Sequence, residues 1–251
     1  MTLIIILTCL TVGAIAFVVG PRLADSRVVF DIAPDTPKAF GYRMSWLAIR
    51  TGATGDVISA LDLKDVETAN WNSGIGTIYA PGLGDSYIFI SPPVKGWTFV
   101  AGVPLPFPAG RSFVDKLTPL LAHLSAEFKD VQYFAGYPII DFFAWVRLER
   151  GTLVRAFAIG DDGVIWDRGR LTTEEKALGL KLFDIRGIKG RKGDAGETII
   201  LHPTEDQVLQ LARAWSFDPV TLDSINGPAA TGFIARAPQA WRAERLRKAA
   251  A

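Results

Sequence analysis

The first twenty residues constrain this chain more than any other stretch, because Leu3 to Gly20 (LIIILTCLTVGAIAFVVG) carries no charge and nothing more polar than Thr and Cys. At about 1.5 Å per residue the segment makes a helix of roughly 27 Å, near the hydrocarbon thickness of a bilayer. A core helix is seldom apolar on every face over such a length. Its Leu, Ile, Val and Phe residues each favour insertion by about 0.3–0.6 kcal/mol at the helix centre, so the whole segment gains roughly 3–7 kcal/mol in the membrane. A cleaved signal peptide has a basic start, a shorter apolar run and a small-residue cleavage site. This chain begins Met1-Thr2 and runs on into PRLADSR with no A-x-A. The expectation is an uncleaved single-pass anchor over residues 1–20, whose partner is the lipid bilayer through Leu3 to Gly20. Cys9 reads as an apolar thiol inside it.

Orientation follows from charge near the helix ends, where basic residues stay cytoplasmic. After the apolar run come Arg22 and Arg27 against Asp25, and the chain closes with WRAERLRKAAA, in which Arg242, Arg245, Arg247 and Lys248 face Glu244. A basic tail of this kind suits an anionic cytoplasmic leaflet. The expected location is the cell membrane, with the domain on the cytoplasmic side.

About 220 residues follow the anchor, enough to bury a hydrophobic core. Lys and Arg total 27 and Asp and Glu total 26, which removes the case for a nucleic-acid protein built on a strongly basic field. The one cysteine lies in the apolar run, so the rest of the chain has no disulfide, thiolate nucleophile or cysteine-based zinc site.

Residues 21–39, with several prolines and alternating acids, read as a linker, with a short edge strand at Val28 to Ile32. Tyr42 to Arg50 alternates like a half-buried strand, with Met44 and Trp46 inward, and Asp56 to Leu63 has helical spacing. The glycine-rich stretch 66–86 lacks a period and reads as a long ordered loop holding at most one helical turn. Tyr87 to Ser91 and Trp97 to Gly102 form a hairpin, with VPLPFPAG closing its second strand. An amphipathic helix is expected over 111–129, kinked or broken at Pro119, followed by a strand at Val131 to Tyr137.

This order of strand, helix, strand, strand, helix, strand is the split βαβ, or ferredoxin-like, pattern. Three further strands, Asp141 to Glu149, Thr152 to Ile159 and Val164 to Asp167, are separated by tight-turn signals and extend it as an antiparallel meander. Short capped helices are expected after Thr172 and after Thr204, and another near Asp218-Pro219. The basic stretch 184–197 reads as a loop and ETIILHP as a strand. The fold class is α+β. The divisions are an anchor at 1–20, a linker at 21–39, a domain at 40–230 and a basic tail at 231–251.

No catalytic signature emerges. The two histidines, His123 between leucines of a helix and His202 before Pro203, sit in structural settings, and there is no G-x-S-x-G, H-E-x-x-H or Walker sequence. Asp161, Asp162 and Asp167 flank a tight turn and read as exposed hairpin charges. No metal site or cofactor is expected. The directional groups left for recognition are Trp71, Asn72, Tyr79 and Trp97, at or beside loops, where an apolar ring with a polar edge makes a contact surface. The sequence is thus read as a membrane-anchored, non-catalytic binding or interaction module with a possible protein partner. The alternatives are a hydrolase or transferase using carboxylates such as Asp141, Asp161 or Asp167, and an accessory structural subunit of a membrane complex.

Overall fold

The computed structural model describes residues 28–110, 112–161, 163–180 and 202–246. The chain divides into two units, residues 1–30 and 31–251, and the architecture below is that of the second. Among the described residues no helix is long and apolar enough to cross a membrane. The anchor expected at Leu3 to Gly20 lies outside them, as do the basic stretch 184–197 and most of the strand expected before Pro203.

The second unit is α+β, arranged around a large antiparallel sheet. Its elements in chain order are β1 (Met44–Ile49), α1 (Thr54–Ala60), β2 (Glu67–Asn70), α2 (Trp71–Tyr79), β3 (Tyr87–Ile90) and β4 (Thr98–Ala101). Then come α3 (Leu117–Glu127), β5 (Asp130–Tyr137), β6 (Phe142–Glu149), β7 (Thr152–Gly160), β8 (Gly163–Gly169), α4 (Thr173–Ala177), α5 (Glu205–Trp215) and β9 (Thr231–Arg236). The strands lie in the order β2-β9-β3-β4-β1-β5-β6-β7-β8. Every neighbouring pair is antiparallel. In the middle, β4 sits between β1 and β3, and β5 flanks β1 on its other side. The meander β6-β7-β8 then continues outward, its first turn closed by Arg150 and Gly151 with φ of 49° and 78°, the primed-turn geometry that matches strand twist.

Both faces of the sheet are covered. Leu47, Ile49, Val100, Val131 and Val146 pack with α1 and α3 through Val57, Leu117, Leu121 and Leu124. On the other face Trp46, Phe89, Phe99, Phe134 and Trp145 pack with α2 and α5 through Trp71, Ile75, Val208 and Trp215. This double cover explains why β1 is buried at all six positions rather than at alternate ones. Ser45 and Leu47, on the side expected to be polar, meet α1 and α3's side of the core instead of water.

Several expectations are corrected. Residues 66–86 are not a loop: β2 and α2 occupy 67–79, with Asn70 capping α2 by accepting from the Ser73 N–H at 2.8 Å. The Asp35 carboxylate accepts from the Trp71 and Asn72 N–H groups at 2.7 and 2.9 Å, so the part of the expected linker after residue 30 is tied to this helix. Residues 28–32 form no strand; Asp35 makes an isolated bridge to Ala230. Helix α3 begins only at Leu117, which puts Pro119 in its first turn, where the missing N–H has no intrahelical acceptor to lose, and the helix runs on unbroken. VPLPFPAG does not close β4, which ends at Ala101. Residues 231–236 of the expected basic tail form β9, inserted between β2 and β3. Beyond it, Glu244 O and Ser112 O accept from the Val114 and Leu246 N–H groups at 2.8 and 2.9 Å, holding the end of the described chain along residues 112–114.

Candidate functional site

The register across β1, β5, β6, β7 and β8 shapes one end of the α1/α3 face. Ser45 pairs with Ala135, Ala135 with Ala144, Ala144 with Ala158, and Ala158 with Trp166. Paired positions share a face, so a row of three alanines runs between Ser45 and Trp166. Small side chains leave depth above the sheet there. Among the described residues the cover over this region is the proline-punctuated stretch 103–110 with Ser112 and Phe113 rather than a helix. Between that segment and the strands lies a cleft of about 1070 Å³, lined mainly by apolar side chains such as Leu105, Phe107, Phe113, Phe142 and Trp166. Val103, Phe107 and Ile140 at its edge are 40 %, 38 % and 58 % exposed.

Few polar groups enter the cleft, and they are not spread evenly. Ser45 and Tyr137 lie on its floor at the β1/β5 side. The Tyr133 hydroxyl donates to Ser45 Oγ at 3.2 Å, and Ser45 Oγ lies 3.1 Å from the Tyr137 hydroxyl. Ser45 and Tyr133 are fully buried, so a hydroxyl proton left without an acceptor there costs roughly 1–3 kcal/mol. The arrangement that uses both short contacts runs Tyr133 to Ser45 to Tyr137, and it leaves the Tyr137 proton to be donated into the cleft. Burial pushes the Tyr137 hydroxyl up to about 12, against the opposing hydrogen bonds from Ser45, and burial pushes Tyr133 up as well. Both stay neutral at ordinary pH: they can donate and accept hydrogen bonds, and neither is poised as a base.

At the opposite side stands Arg168, its guanidinium 5.1 Å from the Trp166 ring centroid. Stacking on an aromatic face holds that fork in a narrow range of orientations. Asp161, exposed in the β7–β8 turn, is the acid among the lining residues.

The residues expected to mediate recognition lie elsewhere. Trp71 is 1 % exposed, its ring against Phe89 at 5.3 Å, so it belongs to the core rather than to a reachable surface. Its position at the start of α2 hides what a loop there would have exposed. Trp97 is 6 % exposed with the Arg50 guanidinium 5.7 Å from its ring. Tyr79 is 43 % exposed, but its hydroxyl donates to Tyr42 O at 2.9 Å and accepts from the Gly41 N–H at 3.1 Å, a bracing role. Asn72 is exposed on α2. Trp71, Asn72 and Tyr79 lie on α2, Trp97 precedes β4, and none of the four lines the cleft. Within this stretch Gly74 serves packing: it lies directly under the Phe89 ring, where a Cβ would collide.

The three carboxylates weighed for catalysis also part company. Asp167 accepts from Arg155 Nη1 at 2.6 Å, Asp141 follows a 3₁₀ turn in a left-handed conformation with φ of 45°, and Asp161 alone lines the cleft. Among the described residues no group of three or more His, Cys, Asp or Glu is placed to hold a metal ion. His123 forms an i,i+4 contact with Glu127 at 3.5 Å, and His202 Nε2 lies 3.3 Å from Gly160 O. No family model, characterised protein or solved structure matches the chain.

The residues that line the cleft carry weak sequence signals. Ser45 and Tyr137 sit inside strands that read as ordinary, and Phe107 sits in a segment that reads as the end of a strand. The available clue is spacing: alanines at 135, 144 and 158 in three successive antiparallel strands mark a shallow row on a sheet otherwise rich in large side chains.

Proposed function

We propose that this protein is a membrane-anchored, non-catalytic binding module whose α+β domain takes a mainly apolar small molecule in the cleft under residues 103–113. In this reading Leu3 to Gly20 fixes the chain in the bilayer, the basic flanks hold the domain on the cytoplasmic side, and β1, α1, β3, β4, α3 and β5 make a ferredoxin-like unit that the meander extends into one wall of the site. The observation that carries the proposal is a cleft of about 1070 Å³, lined mainly by apolar side chains, with a buried relay of neutral hydroxyls at one side. Sites for small ligands are typically of this kind, apolar with a few placed polar groups. Among the described residues Asp161 is the one acid that lines the cleft, so the carboxylate-enzyme alternative finds no acid pair among them.

The test uses a neutral solvatochromic dye, Nile red, titrated into the full-length chain. Saturable binding at one dye per chain is expected, and Phe107→Asp, a change at a partly exposed rim position, should weaken it at least tenfold with little change in melting temperature. Absence of saturable binding, or binding indifferent to Phe107→Asp, overturns the proposal.

A further inference from the structure

Resting on that reading of the cleft, the geometry points to a ligand class: we infer that it takes a medium-chain carboxylate amphiphile with a neutral polar group at its far end, the carboxylate at Arg168 and the far end at Tyr137. Three independent features carry this. The first is charge. Arg168 lines the cleft, stacked on Trp166, and among the described residues no carboxylate lies within ion-pairing distance of it. Arg168 is exposed at the cleft's edge, and a guanidinium stacked on an aromatic ring there recognises a planar carboxylate through two parallel hydrogen bonds.

The second is the directed hydroxyl. With Tyr133 donating to Ser45, the assignment that gives every buried hydroxyl proton an acceptor has Ser45 donating to Tyr137, whose own proton is then left for an acceptor in the cleft. The third is Asp161, which follows Gly160. Gly160 pairs with Gly163, one row beyond Ile159, and that row lies level with Phe142 and Tyr137 rather than with Arg168. Along that row Gly160 is two strands, about 10 Å, from Tyr137, so a carboxylate at the Tyr137 side lies nearer a like charge than one at Arg168, and the ligand is oriented with its anion at Arg168.

Spacing sets the length. Tyr133, Val146, Ala156 and Arg168 share one row, so Arg168 lies three strands across from β5 and four residues along from Tyr137. At about 4.8 Å per strand and 3.3 Å per residue the two backbone positions are about 20 Å apart. The Tyr137 hydroxyl lies at Ser45 on β1 and the Arg168 guanidinium at Trp166 on β8, the two ends of the alanine row, so the polar ends are about four strand spacings, roughly 19 Å, apart. After a hydrogen bond at each end this leaves roughly 13 Å, the length of an extended chain of about ten to twelve carbons. Leu105, Phe107, Phe113 and Phe142 line the space between.

The experiment displaces Nile red from the full-length chain with 12-hydroxydodecanoate, dodecanoate, dodecanedioate and the methyl ester of the hydroxy acid, each below its micelle concentration. The hydroxy acid is expected to bind at least tenfold tighter than its ester and about fivefold tighter than dodecanoate, with dodecanedioate weaker than the hydroxy acid. Arg168→Gln should erase the preference for acid over ester. Tyr137→Phe should erase the preference for the hydroxyl. Asp161→Asn, at an exposed turn, should restore dodecanedioate toward the hydroxy acid and serves where Tyr137→Phe lowers the melting temperature. Nile red displaced equally by acid and ester, or an acid preference that survives Arg168→Gln, overturns this inference and leaves the cleft as a binding site. Failure of Nile red to bind at all removes both.

Discussion

Glu175→Ala tests the most concentrated polar structure in the domain. Glu175 and Arg155 are 0 % and 2 % exposed, yet both are charged side chains. Glu175 Oε1 accepts from Arg155 Nε at 2.7 Å and from Trp145 Nε1 at 2.8 Å, while Oε2 accepts from the Thr172 N–H at 2.8 Å, closing the capping box of α4. Arg155 Nη1 reaches Asp167 at 2.6 Å and Arg168 O at 3.1 Å. Truncating Glu175 strips Arg155 Nε and Trp145 Nε1 of their acceptor, deep in the protein. Breaking a buried pair by removing one partner costs about 3–5 kcal/mol, because the remaining charge keeps its desolvation penalty. In a domain of this size about 1 kcal/mol moves the melting temperature by 2–4 °C, so the fall should be about 6–20 °C. The assay is urea denaturation of the full-length chain followed by tryptophan fluorescence, with Arg155→Met and the double variant Arg155→Met/Glu175→Leu beside it. Each single change should be severe, and the double should cost less than the sum of the two, because neither charge is then left facing an absent partner. A loss below about 1 kcal/mol for Glu175→Ala, or strict additivity in the double, refutes the argument.

Trp71→Ala should cost about 3–5 kcal/mol of stability by opening a cavity beside Phe89, with Nile red binding per folded molecule unchanged; urea melts with dye titration check both. Burial raises the Glu205 carboxyl, opposed by the Arg43 N–H that donates to it at 2.6 Å. A raised folded-state value means that the folded protein holds this proton more tightly, so its contribution is complete below the ordinary glutamate range and is lost as pH rises through the raised value. Melting temperatures across that window should fall in the parent and stay level in Glu205→Gln. A reporter fused after Ala251 should behave as cytoplasmic, and replacing Arg22 and Arg27 by Ala while adding two Lys after Met1 should weaken or reverse that signal.

The parts of the fold legible in the sequence are those set by local chemistry. Thr204 caps α5 as expected, Arg150-Gly151 turns the meander, and apart from β2 and α2 the strands and helices from Met44 to Tyr137 follow hydrophobic periodicity. What was not legible depends on neighbours far along the chain. Trp71 looked like a loop residue because Gly74 and Gly76 weaken any helical pattern; the helix exists because Asn70 and Asp35 cap it and because Gly74 admits the Phe89 ring. Strand β9 was read as part of a tail because one short apolar stretch, TGFIAR, says nothing about the gap between β2 and β3 that it fills. The cleft was invisible for the same reason, since its floor is made of positions that only strand register brings into line.

The covering of the sheet suggests why the cleft lies where it does. A sheet apolar on both faces needs something over every strand, and here α1 and α3 bury their apolar sides over the middle strands while α2 and α5 do so on the reverse. Over the β6–β8 end of the first face the cover is the segment 103–113, whose prolines at 104, 106 and 108 prevent a helix. An irregular strap fits less closely than a helix laid into the grooves of a sheet, and the alanine row beneath deepens the mismatch. Apolar surface is then left partly open, with Phe107 and Ile140 partly exposed at the cleft's edge, a costly state for a domain with nothing to place there. A ligand that supplies the missing apolar contacts should therefore stabilise the fold as well as bind it. At a hundred times its dissociation constant the gain is about 2.7 kcal/mol, which makes a rise in melting temperature with 12-hydroxydodecanoate an independent reading of the same site.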